Sequence, residues 1–507
     1  MLQNLYHNPK AFFALFILAV TTFYWVFPDI MPFHQGFAFE GYTIYKPMAK
    51  DVHEYLIAHR MNSYSIQRIF PYVLLHFTFK VFGIAFSDFN MILFFQVFQL
   101  GIALIIIYTW DKLAKYLEIG LPGQWIGYLS MLINFATLKL DFYVPFTYDR
   151  LAMASGLISF YCYLTNRPLG LFINAVVALT IWPTALLFNL LMLLVPATEP
   201  VPATHNPWLS RIWAAGIASA VCGLFVLVIY VKHIPGSLYM APAVRPLLPL
   251  SILLIGAYLA YTQTTLAQTV FPGWQEIIPR VRHLLRPRLS WLYALGLVGA
   301  YVLLTRYLGD PTHPYLTPQQ FAINLTYGAL QRPAQSLVFH VLYYGLPFLF
   351  IALFWRRTLQ AVTRLGLGTG LLLMAVLIQA VNNETRQMAN VVPLLTILAA
   401  LVADGLTPRP KAVAVTAILA ALFSKAWVVS LNYFDPNYGK PGDIYPMLNF
   451  EQGNFLKWPQ QAYFMNLGPW TATPYLVIQA VAVVLAFGVI YWLWQPRAKA
   501  DTTFTTR

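Results

Sequence analysis

Along this chain, apolar runs recur from residue 11 to residue 494, and the polar stretches between them are short. Runs such as AFFALFILAVTTFYWVF, FFQVFQLGIALIIIYTW, VCGLFVLVIYV and PYLVIQAVAVVLAFGVIYWLW approach or exceed the roughly 20 residues that a helix needs to cross a hydrocarbon layer. Backbone groups in lipid must be satisfied within their own segment, so these runs predict helices. The pattern predicts an all-α, polytopic membrane protein of about fourteen transmembrane helices, forming one domain over residues 1–507. No internal repeat and no sharp shift of composition divides it. The first run lacks a small-x-small exit and is followed by Pro28 and Asp29, so it reads as a retained span.

Interruptions in the pattern are as informative as the runs. Residues 28–88 form a long first outer loop, and residues 431–472, rich in Pro, Gly, Asn and aromatics, suit an outer lid or platform. Within the first loop, Pro47 fits a first helical position. Met48, Val52, Tyr55 and Leu56 fall on one helix face, predicting an amphipathic juxtamembrane helix over residues 47–60. The stretch IQRIFPYVLLHFTFKVFG, broken by Pro71, His76 and Lys80, predicts a juxtamembrane or re-entrant helix on the outer face that does not cross fully. The next full span then covers roughly residues 89–109. Pro183 divides IWPTALLFNLLMLLV, which predicts two short helices meeting near the outer surface.

Composition and charge give the pattern an orientation. The chain is 59% hydrophobic and 10% charged, with mean hydropathy +0.61 and a net charge of +14. In a polytopic chain such a charge means basic loops on the cytoplasmic side against anionic lipid, and it needs no nucleic acid. Lys10, the stretches 280–290, 356–364 and 408–411, and the tail therefore read as inside. Asp29, Glu40, Asp51, Glu54, Asp88, Asp141, Asp149, Asp310, Glu384, Asp435, Asp443 and Glu451 then fall outside, leaving six of the 18 acids inside. Cys162 and Cys222, both in apolar runs, suggest neither a disulfide nor a thiolate metal site. No His-Cys or paired-carboxylate motif is visible, so metal-independent chemistry without a cofactor is expected.

Acids gathered on one face suggest chemistry on that face. Asp51 has no basic residue three or four positions away, which makes it a candidate base, whereas Glu54 has Lys50 four residues before it and reads first as half of a surface pair, with a place among the acceptor-binding carboxylates as the competing reading. Glu40, in FAFEGYTIY, is the second candidate base, held at a turn by Gly41. For an anionic group, Arg386 in NNETRQ is the first choice, with Arg68, Arg245, Arg332 and the pair Lys232 and His233 as further outer cations. Interfacial snorkelling competes for Lys232 and Arg245. Glu384, two residues from Arg386, does not share its helix face. Asp141 and Asp149 flank FYVPFTY and suit acceptor hydroxyls, although Asp149 equally suits a pair with Arg150 or a helix cap.

These residues also carry a family resemblance. A first span, an outer loop with an acid on a juxtamembrane helix (DVHEYLIA) and the Arg-x-x-Pro of QRIFP resemble the GT-C superfamily of integral-membrane glycosyltransferases. VPFTYDRLAMASGLISFYCYLTNR is similar to the outer-loop acid before their fourth span, and NNETRQMANVVPLLTILAAL to the polar-then-Pro motif opening a late span. The resemblance implies transfer of a sugar from a polyprenyl-phosphate donor to a glycan, lipid or protein acceptor, usually with inversion. The first-loop carboxylate would be the base, and the site would lie on the outer face of a membrane, for a bacterial chain the plasma (inner) membrane. The chain departs from the family's pattern in lacking an adjacent Asp-Glu type pair in that loop and a soluble domain after the last span. A transporter or flippase for lipid-linked sugars, and a glycan polymerase or ligase, are the alternative readings.

Overall fold

The structure, a computed structural model, describes residues 6–30, 36–37, 40–58, 61–232, 242–286, 288–310, 318–330, 332–427 and 473–495. The lid expected over 431–472 and the partner His233 lie outside the described residues. Among the described residues the secondary structure is helical, with no strand. Six helical segments among the described residues are long and apolar enough to cross a bilayer: Pro9–Val26, Asp88–Tyr116, Pro207–Val231, Arg245–Val270, Leu289–Leu308 and Leu476–Leu493. Six is fewer than the about fourteen expected, because other apolar runs form shorter helices such as Pro168–Ala178, Ala185–Leu194 and Val392–Asp404.

The chain begins with α1 (Pro9–Val26), capped by the Asn8 side chain on the Ala11 amide. In the first loop, a π-helical stretch Gly41–Tyr45 leads into α2 (Lys46–Lys50), followed by α3 (Val52–Ile57) and α4 (Phe70–Phe82). The single amphipathic helix expected over 47–60 is thus two helices. They part at Asp51 (φ −137°, ψ 77°), whose carboxylate accepts the Glu54 amide at 3.0 Å. Aspartate bonds nearby backbone more favourably from a cap than from a helix interior, and here the cap prevails over the apolar periodicity. Gly83, at φ 64°, ends α4 in the left-handed region that glycine enters without strain.

The long helix α5 (Asp88–Tyr116) is followed by α6 (Leu121–Leu132), α7 (Asp149–Leu164), α8 (Pro168–Ala178) and α9 (Ala185–Leu194). The last two join through a turn containing Pro183, as its position predicts. Then come α10 (Pro207–Val226), α11 (Leu248–Val270), α12 (Trp274–Leu284) and α13 (Leu289–Leu303). After α14 (Pro318–Leu330), α15 (Gln335–Tyr344) and α16 (Leu346–Leu353) meet at Gly345. The order closes with α17 (Trp355–Leu365), α18 (Leu367–Gln379), α19 (Val392–Asp404), α20 (Ala412–Ser424) and α21 (Thr473–Leu493).

At the centre, α19 is buried from Val392 to Ala403 and packs against α6, α7 and α16. Close approach requires glycine here. A Cβ on Gly156 of α7 would overlap the Asn390 carbonyl, and one on Gly127 of α6 would overlap the Trp110 indole.

Polar contacts sort the loops to two ends of the bundle. At one end Asp29 pairs with Lys139 (2.7 Å), Lys46 with Asp88 (2.7 Å) and Asp149 with Arg386 (3.1 Å). The Phe70 amide bonds Thr180 (2.9 Å), and the Trp182 indole bonds Gln387 (3.3 Å) at the same end. At the other, Lys10 pairs with Asp111 (3.2 Å), the Gly120 amide bonds Asp404 (2.8 Å), and Arg364 bonds the Leu117 carbonyl (2.8 Å). There too the Leu367 amide bonds Glu199 (2.9 Å), Arg280 pairs with Glu199 (3.2 Å), and the Arg409 amide bonds Leu493 (2.9 Å).

The basic stretches 280–290, 356–364 and 408–411 therefore share one end with Lys10. Asp29, Glu40, Asp88, Asp141, Asp149 and Glu384 share the opposite, acidic end. Helix α4 starts and finishes at the acidic end: its first amide meets Thr180, His76 Nδ1 lies 2.9 Å from the Ala49 carbonyl, and α5 begins at Asp88 beside Lys46.

Candidate functional site

At the acidic end, two arginines from distant parts of the sequence meet on one tyrosine ring. Arg68 closes the 3-10 turn Ser65–Arg68, which α4 follows with Pro71 in its first turn. Its guanidinium donates to Glu40 Oε2 at 3.2 Å and to the Tyr64 hydroxyl, and lies 5.3 Å from the Tyr148 ring centre and 5.8 Å from that of Trp182. Arg386, on the turn Thr385–Met388, donates to Asp149 Oδ1 at 3.1 Å and lies 5.7 Å from the same Tyr148 ring. The Tyr148 and Trp182 rings stand edge to face, 5.6 Å apart. Stacking on aromatic faces suits guanidinium, which is more weakly hydrated than ammonium and keeps its in-plane donors free.

Carboxylates surround this pair unequally. Asp149 is 1% exposed, its other oxygen taken by the Thr147 hydroxyl at 3.2 Å, so it is a fixed support for Arg386. Glu40 is 24% exposed and reaches the surface, as does Arg386 at 29%. Glu384 precedes the Arg386 turn and accepts from Gln387 Nε2 at 2.6 Å. Burial raises its pKa above the usual carboxylate value, against the pull of Arg386 and Arg68.

A buried brace holds the loop that carries Glu384 and Arg386. His340 Nε2 lies 2.8 Å from the Ala380 carbonyl, and Nδ1 lies 3.0 Å from the Thr385 hydroxyl. A carbonyl only accepts, so Nε2 carries the proton and Nδ1 accepts from Thr385. Thr184 donates to Asn390 at 3.0 Å, which ties the same loop to the turn between α8 and α9.

The structure thus brings together Glu40, Arg68, Asp149, Glu384 and Arg386 among the residues expected from the sequence. The alternative pairing of Asp149 with Arg150 does not form: Arg150 turns inward to Asp141 at 2.7 Å and to the Gln99 carbonyl at 2.9 Å. Asp141 is buried with it, and withdrawal from water lifts its pKa to about 6 despite Arg150. Asp51 is exposed and caps α3 just before Glu54. Lys232 and Arg245 are exposed at the end of α10's π-helical extension and before α11. Arg332 is buried in the turn before α15, where burial lowers its pKa to about 10. Tyr148, Trp182 and Tyr64 were not singled out by sequence reasoning; the only signal was adjacency, Tyr148 to Asp149 and Trp182 to Pro183.

Among the described residues no group of three His, Cys, Asp or Glu side chains is arranged to hold a metal ion. Comparisons of the chain with protein-family models, with curated proteins and with solved structures find no match in any of the three.

Proposed function

We propose that this chain is a GT-C-like membrane glycosyltransferase, moving a sugar from a polyprenyl-phosphate donor to an acceptor hydroxyl at its acidic end. The observation that carries the reading is the convergence of Arg68 and Arg386 on Tyr148, with the partly exposed Glu40 bonded to Arg68. Two guanidinium groups can grip a phosphate from two sides and stabilise its developing charge as it leaves. Glu40 is then the base. When the donor phosphate takes the donors of Arg68, the carboxylate is released to receive the acceptor's proton. The acceptor oxygen bonds to the anomeric carbon from the face opposite the lipid phosphate, which departs with the electron pair of the broken C–O bond, so configuration inverts.

Asp51 is the less suited base, because its carboxylate already serves the α3 cap. Glu384, half-buried at the same end, suits a sugar hydroxyl. Alternation between the two ends supports fourteen crossings: α1, α5 to α9, α10, α11, α13, α15 with α16, and α18 to α21, with α2 to α4 as juxtamembrane helices. Positive-inside charge puts the basic end in the cytoplasm and the site on the outer face, in a bacterial chain on the periplasmic side of the inner membrane.

The test is transfer in detergent, where transport has no meaning. Protein given radiolabelled polyprenyl-phosphate sugar and a membrane-glycan extract should move label from lipid to acceptor and release polyprenyl phosphate. Arg386→Ala should lower kcat/KM by about 10²-fold, as expected when a charge-assisted contact to a leaving phosphate is removed. Donor that stays intact with folded protein would overturn the reading in favour of a transporter.

A further inference from the structure

Helix α12 (Trp274–Leu284) lies at the basic end, between two helical segments long enough to cross a bilayer, Arg245–Val270 and Leu289–Leu308. It has no buried residue. Its two sides differ in kind. Toward the protein, Arg280 pairs with Glu276 and Glu199, both at 3.2 Å, and Thr204 donates to Glu276 at 2.6 Å. His283 Nε2 lies 3.2 Å from Glu199 on the same side. These contacts fix the helix on the loop before α10.

The other side carries Trp274, Ile278, Val281 and Leu285, spaced by four, three and four residues, each exposed. That spacing is a single helical stripe. Beside it stand Arg282 and Arg286, both exposed, and neither makes an ion pair among the described residues. The open face is lined by Ile277, Ile278, Val281, Arg282, Leu285 and Arg286.

We infer that this face is a binding site for an anionic phospholipid of the leaflet at the basic end. The flanking segments hold α12 at the level where a bilayer surface would lie, so its apolar stripe meets acyl chains rather than water. Arg282 and Arg286 sit where the headgroup phosphate of the same lipid would be, and the ionic side fixes which way the helix faces. A zwitterionic lipid fills the stripe equally well but leaves the two cations without net compensation. The preference for an anionic headgroup therefore rests on those two arginines. The site lies at the opposite end from Arg68 and Arg386 and stands whether or not the chain transfers sugars.

Full-length protein is exchanged into micelles containing equal phosphatidylglycerol and phosphatidylcholine, and retained lipid is measured by native mass spectrometry. Wild type should retain phosphatidylglycerol preferentially. The double variant R282Q/R286Q should retain it roughly thirtyfold more weakly, about fivefold for each arginine at a lipid surface. I278S/L285S should lower retention of both lipids, since it removes the shared acyl contact. Both variants alter only exposed side chains, so an unchanged melting temperature certifies that they fold. The control R356Q/R357Q removes two charges from α17 at the same basic end and should leave the preference intact. Equal retention of the two lipids by wild type, no change in R282Q/R286Q, or an equal loss in the control would overturn the site.

Discussion

At the scale of single residues, the site separates carboxylates by what already holds them. Asp149 is enclosed by Arg386 and Thr147, Asp51 is taken by a helix cap, and Glu40 is bonded to a group that a donor phosphate would claim. Glu40→Gln keeps the size of the side chain and removes its basicity, so turnover should fall by about 10²-fold or more with donor binding little changed. Asp51→Asn preserves a good cap and should leave transfer and stability near wild type. The reverse pattern in the same transfer assay would return the base to Asp51.

Asp141 gives a pH signature instead. Its pKa is raised from 3.8 to about 6, so the folded protein holds this proton more tightly than the unfolded chain. The contribution is complete below about pH 4 and is lost as pH rises through about 6. Melting temperatures of Asp141→Asn in detergent should therefore vary less between pH 4 and 7 than those of wild type. Parallel profiles would refute the assignment.

At the scale of elements, the site depends on how closely α7 approaches the end of the 380–391 loop. Gly156 lies against the Asn390 carbonyl, and that loop also carries Arg386, whose partner Asp149 opens α7. Backbone cannot yield as a flexible side chain does, so Gly156→Ala must push α7 from the loop at a cost of about 1–3 kcal/mol. The expected result is a lower melting temperature together with weaker donor binding, through strain on the Asp149–Arg386 contact. A drop in melting temperature with donor affinity unchanged would show that the two are uncoupled. The break at Asp51 belongs to this scale as well: apolar spacing alone predicts one helix, and a local side-chain bond divides it.

At the scale of the whole molecule, charge and contacts agree on two ends. In a chain whose Cys162 and Cys222 have been replaced, Ala85→Cys, on the exposed turn after α4, should react with an impermeant thiol reagent added outside intact cells. Arg356→Cys, on the first turn of α17, should react only after the membrane is opened. The opposite labelling would invert the frame and put Arg68 and Arg386 on the cytoplasmic side. Shielding of both would show that the turn 83–87 does not stay with the acidic end.

The sequence by itself determined the helical class with runs long and apolar enough to cross a membrane, the separation of acids from basic stretches and the paired short helices around Pro183. Each rests on local spacing or on charge summed along the chain, and neither needs to know which helices touch. Tertiary structure alone decided the partners. Arg386 and Asp149 are 237 positions apart, and Arg68 and Glu40 are 28 apart. Arg150 turns away from its sequence neighbour, whose two oxygens are taken by Arg386 and Thr147, and a buried guanidinium finds its carboxylate in Asp141 at 2.7 Å. Tyr148, invisible as a site residue in a chain with 31 tyrosines, becomes the surface on which two guanidinium groups meet only when the loops before α4, α7 and α19 are brought to one end of the bundle.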